Sequence, residues 1–337
     1  MLNEAAPKGA PPWITTQIRQ LLAQRGHAWL LQGPSGLGQY GLALELARAW
    51  LCEQPGEAGA CGVCGSCHAV DVRTHADLCV LMPETVLLEL GWPLGEKAQT
   101  EIDDKKRKAS KEIRVDAMRE AVEFSQRTSA RGRGKVVLVF PAEHMNTITA
   151  NTLLKTLEEP PGDVKFVLAS ESAHQLLPTI RSRCLGYAMQ WPDTQAALDW
   201  LQCNGCDSTQ AQLLLRAMGG RPDDALAFLA SGRNPVAWAV LPSAMAKGEV
   251  GFFKDWSIPQ TVDALHKLCH DLLAHKAGAA PRFLAPNDLQ TAASVDALTS
   301  WSKALAHTMR TMDHPFNAGL MQEALVGQAK SVLNSGH

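Results

Sequence analysis

The sequence predicts an α/β fold over its first 190 residues, with a largely parallel sheet covered by helices and followed by helical domains. Short apolar runs typical of buried strands alternate there with segments of helical periodicity. One of these runs leads directly into a glycine-rich turn and then a helix. Beyond residue 189 only helical patterns remain. Strands that alternate with helices favour parallel pairing, because each helix returns the chain to the same edge of the sheet.

The predicted strands are four short runs, each closed by a turn residue or by proline. The first, residues 27–31, precedes the glycine turn and a predicted helix over residues 39–51. A further helix is predicted over residues 146–157, where two consecutive prolines end it because proline cannot continue a helix. The other three predicted strands are residues 78–82, 135–140 and 165–170.

The length of 337 residues favours two or three domains. We expect an α/β domain at residues 1–190, a small helical domain at 191–233 and a helical C-terminal domain at 234–337. The segment 84–112 contains a dense charge run without a repeating apolar face. Acids flank its lysines, so we interpret it as a solvated insertion and not as a basic nucleic-acid-binding arm.

Charge and hydropathy limit the classes of function. The chain has 32 basic and 34 acidic residues, which argues against binding nucleic acid through a global positive field. No run reaches the roughly 18 apolar residues that a membrane span needs. The first residues lack the apolar centre of a secretory signal. The sequence therefore predicts a cytoplasmic protein without a membrane partner.

Four of the nine cysteines have the spacing of a metal site, C-x8-C-x2-C-x2-C, with glycines that permit tight turns. Four thiolates match tetrahedral structural zinc and leave no open position for catalysis. His68 and His75 are alternatives to the first of the four cysteines. The predicted zinc ligands are Cys52, Cys61, Cys64 and Cys67.

The glycine turn has the glycine placement of the phosphate-binding loop G-x-x-x-x-G-K-[ST], at Gly33, Gly36 and Gly38. Gln39 stands at the lysine position and offers no charge to a phosphate. Tyr40 stands at the position of the Mg²⁺-binding hydroxyl, and its phenolic oxygen lies too far from the backbone to replace serine or threonine. We therefore expect neither efficient hydrolysis nor ATP binding by this chain.

The third predicted strand tests this interpretation. Phosphate-loop enzymes place a Mg²⁺-binding aspartate at the end of a buried strand, but here residues 136–140 lead into Pro141. Glu143 is the nearest acid, and a displaced catalytic base is the alternative role for it. Two catalytic positions are thus altered in a chain that keeps the surrounding sequence pattern. This favours a retained phosphate-loop fold with an altered function.

Arg181 and Arg183 lie in residues 179–184, just before the pattern becomes helical. An arginine at a subunit edge can stabilise the charge of a phosphate bound by a neighbour. From spacing alone, a surface ion pair is the better interpretation.

These motifs together resemble the clamp-loader branch of the AAA+ ATPases. The glycine loop, the four-cysteine insertion, residues 151–161 (Asn-Thr-Leu-Leu-Lys-Thr-Leu-Glu-Glu-Pro-Pro) and the Ser-Arg-Cys of residues 182–184 follow the order of that family. The resemblance covers about residues 20–235. It implies an AAA+ domain, a helical lid and a helical collar, in a protein that helps to load the sliding clamp onto primed DNA in the DNA polymerase III holoenzyme.

Within that family, a zinc module and a Ser-Arg-Cys motif beside an altered loop imply a non-hydrolysing subunit. The resemblance makes Arg183 the finger that reaches ATP on an adjacent gamma/tau subunit, and it makes the four cysteines zinc ligands. Ser170 falls at the first-sensor position, and Arg221 is a candidate second sensor. The implied partners are the gamma/tau ATPase subunits and delta, with the clamp and primer–template DNA reached through the complex.

Two other functions remain open from the sequence. One is a divergent active ATPase in which Gln39 still permits nucleotide binding. The other is a zinc-dependent nucleic-acid-binding module. The balanced charge and the lack of basic or aromatic residues between Cys61 and Cys67 disfavour the second.

Overall fold

The computed structural model describes residues 11–289, 291–311 and 317–335. The chain divides into two compact units, residues 4–196 and residues 197–337. The predicted separation of residues 191–233 from residues 234–337 stays a prediction. None of the helices in the described ranges combines the length and the apolar character needed to cross a membrane.

The first unit is built on a parallel sheet of five strands in its described part, with the order β2-β3-β4-β1-β5. Every residue of β3 is buried, which is typical of a parallel sheet covered on both faces. This confirms the predicted α/β class and all four predicted strands. The strands are β1 Ala28–Gln32, β2 Leu78–Leu81, β3 Lys135–Val139, β4 Val164–Ser170 and β5 Leu185–Ala188.

The fifth strand was missed by the sequence analysis. It pairs with β1 at the edge of the sheet, with Leu185 beside Trp29, and three of its four residues are exposed. A short edge strand buries little apolar surface, so it carries no alternating pattern that could mark it in the sequence. Strand β5 is recognised only by its parallel hydrogen-bonded pairing with β1.

Helices connect these strands, and the two that matter most for the site are α2 and α7. Helix α2 begins directly after Gly38, whose left-handed backbone (φ 88°) ends the glycine turn. Helix α7 begins after Asn146, whose side chain accepts a hydrogen bond from the backbone N–H of Thr149. The helices of this unit are α1 Pro12–Leu22, α2 Gln39–Leu51, α3 Gly65–Asp71, α4 Glu84–Glu89, α5 Glu96–Asp103, α6 Val115–Gln126, α7 Thr147–Glu158 and α8 Pro178–Arg181.

The core of the first unit joins the central strands to α6 and α7. Val137 and Leu168 from the sheet belong to the same buried cluster as Met118 of α6 and Leu153 of α7. Burying each such side chain stabilises the folded state by about 1.5–3 kcal/mol relative to leaving it exposed to water. This packing supports the carboxyl ends of the strands, where residues 33–38 lie, here called the phosphate loop after their glycine pattern.

The second unit contains helices and no strand in its described residues, as the sequence predicted. Its long helix α13 begins with a capping box formed by Ser257 and Gln260. It packs against α14 and α15. The helices are α9 Thr194–Cys203, which starts in the first unit, α10 Ser208–Ala217, α11 Pro222–Ala230, α12 Leu241–Lys247, α13 Ile258–Lys276, α14 Val295–Thr311 and α15 Ala318–Leu333.

Candidate functional site

The phosphate loop lies where an open α/β sheet binds ligands, outside the carboxyl ends of its strands. The loop follows β1, which lies between β4 and β5. The backbone N–H of Gly33 donates to the carbonyl of Ser170 at the end of β4, at 3.3 Å. The loop, the end of β4 and the strands beside it therefore form one continuous edge.

The side chain of Gln39 is bonded to its own loop. It is 2% exposed, and its Nε2 donates to the carbonyl oxygens of Gly33 at 2.8 Å and Pro34 at 2.6 Å. In an active phosphate loop, the lysine at this position reaches the β- and γ-phosphates. Here the amide instead closes the loop on itself.

The side chain of Tyr40 is also engaged within the protein. Its hydroxyl accepts a hydrogen bond of 2.7 Å from Nε1 of Trp92. Its ring centroid lies 5.6 Å from that of Phe140, which directly follows β3. Burial raises the pKa of Tyr40. Active phosphate-loop enzymes hold magnesium through a small hydroxyl in the loop and an aspartate at a strand end. Here the first position carries the neutral phenol of Tyr40, and the end of β3 is apolar.

Trp92 belongs to the charged insertion at residues 84–112, so that segment is anchored on the phosphate-loop helix. Trp92 is buried, and the guanidinium of Arg73 lies 5.7 Å from the centre of its ring. Arg73 also donates to the carbonyl of Gly91, at 2.9 Å. The prediction of a solvated insertion describes α5, which buries no residue, but it missed this anchor.

The insertion contains an internal network of ion pairs. Arg107 donates to Glu84 at 2.7 Å and to Glu101 at 2.7 Å. The hydrogen bonds from Arg107, together with the backbone N–H of Ser110, lower the pKa of Glu84. The charge run of the sequence is therefore an ordered element in which Arg107 joins two acids.

Two further polar residues of this edge were singled out from the sequence, and both are engaged locally. Glu143 accepts a hydrogen bond from the backbone N–H of Glu171 at 3.0 Å. Ser170 is fully buried, and its hydroxyl accepts from the backbone N–H of Ser172 at 3.2 Å. The catalytic-base role of Glu143 stays an alternative, and Ser170 is assigned only the position of a first sensor.

We expect Gln39→Ala to lower the free energy of unfolding by about 1–3 kcal/mol, because two loop carbonyls then lose their donor in a buried place. Urea unfolding followed by circular dichroism measures the change. Gln126→Ala, an exposed glutamine that ends α6, is the matched control and should change stability by less than about 0.5 kcal/mol. Equal stability of Gln39→Ala and the wild type would contradict the structural role of the amide.

The four cysteines are brought together as the sequence predicted. Their sulfur atoms all lie within 4.8 Å of one another, with Cys52 3.8 Å from Cys64 and Cys61 4.0 Å from Cys67. Tetrahedral zinc with bonds of about 2.3 Å separates its sulfur ligands by roughly 3.8 Å. The donor set therefore fits one metal ion of the size and softness of zinc.

The backbone around the cluster favours thiolates. The N–H of Cys61 donates to the sulfur of Cys52 at 3.3 Å, and the N–H of Cys67 donates to the sulfur of Cys64 at 3.4 Å. Cys64 caps α3, and the N–H of Cys67 lowers the pKa of Cys64 to about 6. N–H groups that point at sulfur are the usual outer support of a cysteine metal site.

His68 and His75, the alternatives to Cys52, lie outside the cluster. The Nδ1 atom of His75 accepts a hydrogen bond from the backbone N–H of Asp77, and His68 is exposed on α3. The cluster is held from outside by Glu53, which accepts from the backbone N–H of Ser66 at 3.0 Å and from its hydroxyl at 3.1 Å. The sequence favoured Cys52 over the two histidines, and the structure brings Cys52 into the cluster.

Arg183 lies two residues after the end of α8 and is paired with Glu158, the last residue of α7. Its Nε donates to Glu158 at 2.6 Å, and its Nη1 donates to the carbonyl of Thr179 at 2.8 Å. The Arg183 side chain remains 30% exposed. The ion pair favoured by spacing is therefore present, with a guanidinium that still reaches the surface.

The profile of the family described as "DNA polymerase III, delta subunit" matches residues 14–192. This chain belongs to that family. The DNA polymerase III subunit delta' of Pseudomonas aeruginosa is 41% identical over 215 residues, which are 63% of this chain and 58% of that protein. The same subunit of Escherichia coli is 35% identical over 241 residues, 70% of this chain and 65% of that protein. The matches thus span about three fifths of these two relatives.

Among solved structures, a DNA polymerase III gamma subunit-related protein from Thermotoga maritima superposes with a TM-score of 0.49 at 18% identity. That superposition covers 96% of this chain and 100% of the other. The residues matched by the DNA polymerase III delta subunit family include the phosphate loop, the four cysteines and Arg183. They end before the second unit.

Residues 219–224, in the second unit, therefore lie outside the match to the DNA polymerase III delta subunit family. The Nε atom of Arg221 donates to the carbonyl of Met218 at 2.8 Å and pairs with Asp224 at 3.1 Å. The neighbouring acid Asp223 is half-buried, and its pKa is raised to about 7. Burial is the larger cause, and the negative charge of Asp224 is the smaller one. The second-sensor role of Arg221 stays a prediction.

We expect Asp223→Asn to stabilise the protein at high pH. The folded chain keeps the proton of Asp223 up to about pH 7, whereas the unfolded chain loses it near the usual value of 3.8. Stability therefore decreases as pH rises between these values and stays constant above them. The asparagine variant should be about 1–3 kcal/mol more stable at pH 8, and the gain should shrink towards pH 4.

Urea unfolding at pH 4.5, 6 and 8 measures this dependence. Asp116→Asn is a matched control, because Asp116 also lies in the first turn of its helix but is exposed. A stability gain of Asp223→Asn that is equal at all three pH values would contradict the raised pKa.

Proposed function

We propose that this chain is the delta-prime subunit of a bacterial clamp loader, a AAA+ subunit that does not hydrolyse ATP and helps to load the sliding clamp onto primed DNA. The observation that carries the proposal is the closed phosphate loop in a chain of the DNA polymerase III delta subunit family. Gln39 donates to the carbonyls of Gly33 and Pro34. An amide that satisfies the loop from inside leaves no cation for a bound phosphate.

In this proposal, the catalytic contribution of the chain goes to a neighbour. Arg183, partly exposed beside α8, supplies its guanidinium to ATP held by an adjacent gamma/tau subunit. There it stabilises the charge that develops on the transferred phosphoryl group. Hydrolysis in the neighbour is then coupled to release of the clamp.

The other partners follow from the same assignment. The helical residues 234–337 form the collar through which the chain assembles with gamma/tau and delta. Residues 191–233 form the lid, and residues 1–190 form the AAA+ domain. The clamp and primer–template DNA are reached through the assembled complex, which acts in the cytoplasm as part of the DNA polymerase III holoenzyme.

The proposed cofactor is one zinc ion on Cys52, Cys61, Cys64 and Cys67, whose sulfur atoms lie within 4.8 Å of one another. Zinc held by four sulfurs has no open position. Its role is therefore to hold the loop between α2 and α3, and it takes no part in ATP chemistry.

The test is ATP binding and hydrolysis by the purified chain, alone and after mixing with gamma/tau and delta subunits. We expect no hydrolysis by the chain alone, and ATPase activity of the mixture above that of gamma/tau with delta. Hydrolysis by the isolated chain would overturn the proposal and favour a divergent ATPase. Zinc-dependent DNA binding by the isolated chain would instead favour a nucleic-acid-binding module.

A further inference from the structure

The ion pair between Arg183 and Glu158 fixes the direction of an arginine that the proposed function requires at a subunit edge. One carboxylate oxygen of Glu158, Oε1, accepts hydrogen bonds from Nε, at 2.6 Å, and from Nη2. On the other side, Nη1 donates to the carbonyl oxygen of Thr179 at 2.8 Å. The guanidinium is thus held between the end of α7 and the start of α8.

This arrangement holds the guanidinium without using all its donors. Arginine carries five N–H groups, and these contacts use one on Nε, one on Nη1 and one on Nη2. The second N–H of Nη2 remains, the second N–H of Nη1 makes only a long contact of 3.5 Å with the hydroxyl of Ser182, and the side chain is 30% exposed. Bidentate recognition of phosphate uses such a pair of parallel N–H groups.

Glu158 is attached to a rigid part of the first unit. The preceding turns of its helix bury Leu153 and Leu157, each 1% exposed, in the main core. A long arginine side chain loses much of its rotamer entropy when it is fixed. A partner on a packed helix imposes that cost on folding, before any phosphate is bound.

We propose that Glu158 is a positioning residue, which holds the guanidinium of Arg183 in the direction that a neighbour's ATP requires. This inference rests on the proposed function of Arg183. Glu158 itself touches no phosphate, because its carboxylate would repel one. It acts through the arginine by holding the guanidinium in place while the remaining N–H of Nη2 and the weakly bonded N–H of Nη1 stay available to a phosphate.

The experiment measures single-turnover ATP hydrolysis, at the site that Arg183 completes, by the complete complex with gamma/tau and delta subunits, comparing the wild type with Glu158→Ala, Glu158→Gln and Arg183→Ala. We expect Glu158→Ala to lower the single-turnover rate constant at that site by about two- to fivefold, the worth of a partly exposed ion pair, with little change in the ATP concentration that gives half the maximal rate. Glu158→Gln keeps a side-chain oxygen acceptor, so it should restore most of the rate. Glu159→Ala, the same charge change one residue later on an exposed side chain, is the matched control.

The double variant Glu158→Ala with Arg183→Ala separates positioning from a general structural effect. We expect it to have the activity of Arg183→Ala alone, because the glutamate then has no guanidinium to hold. A higher rate for Glu158→Ala would overturn positioning and indicate a restraint that competes with phosphate. A loss that persists in the Arg183→Ala background would overturn it as well. If Arg183→Ala is itself fully active in an assembled complex, the proposed finger role of Arg183 fails. That result is distinct from one in which Arg183→Ala is inactive and Glu158→Ala is fully active, which overturns only the positioning role of Glu158.

Discussion

Arg183→Ala should lower ATP hydrolysis by at least about 100-fold at the neighbouring site that this chain completes, since arginine fingers contribute 10³–10⁵ in related phosphoryl transfer. The loss has a direct physical cause: no other group would replace a bidentate cation at the γ-phosphate. Single-turnover hydrolysis by the reconstituted complex isolates this site better than the steady-state rate, because other ATPase sites keep their own turnover.

Assembly should survive the Arg183→Ala substitution. Arg183 is partly exposed, and its ion pair with Glu158 contributes at most about 1 kcal/mol. Size-exclusion chromatography of the complex checks this. Arg183→Lys keeps the charge but loses the planar fork and should recover only part of the rate. Arg181→Ala, an exposed arginine that ends α8, is the matched control. Unchanged single-turnover kinetics for Arg183→Ala in an assembled complex would refute the finger.

The second large effect is expected at the four cysteines. The purified, reduced chain should contain about one zinc ion, and Cys67→Ala should abolish binding and lower the free energy of unfolding by about 3 kcal/mol or more. The reason is that the four sulfur atoms link the end of α2, at Cys52, to α3, which contains Cys67. Structural zinc sites contribute on the order of 10 kcal/mol to the folding of small modules. Elemental analysis and thermal unfolding measure both quantities.

The control for the cluster is Cys203→Ala, because Cys203 is exposed and lies outside the four-cysteine group. It should keep the metal and the stability of the wild type. A chelator should reproduce the effect of Cys67→Ala in the wild type and have no further effect in the variant. A pure chain with no bound metal, and equal stability of Cys67→Ala, would refute the zinc assignment.

Local chemistry made much of this protein predictable. Residues 136–139 form a run of four aliphatic side chains, and such a run must be buried on both faces, so the α/β class followed from the sequence. Glycine at position 38 permits the left-handed backbone that the turn before α2 adopts, so the turn was predictable from the glycine pattern. Cysteines three and nine positions apart can reach one metal ion by local folding alone.

Only the tertiary structure decided the contacts between distant segments. Trp92 and Tyr40 are 52 residues apart, and Arg183 and Glu158 are 25 apart. No local periodicity encodes such pairs, because they form only when the fold brings segments that are distant in the sequence close together. The edge strand β5 has the same origin. The amino-acid sequence by itself therefore determined that Gln39 and Tyr40 stand at the lysine and hydroxyl positions of the glycine pattern, and the fold determined what Gln39, Tyr40 and Glu158 bind.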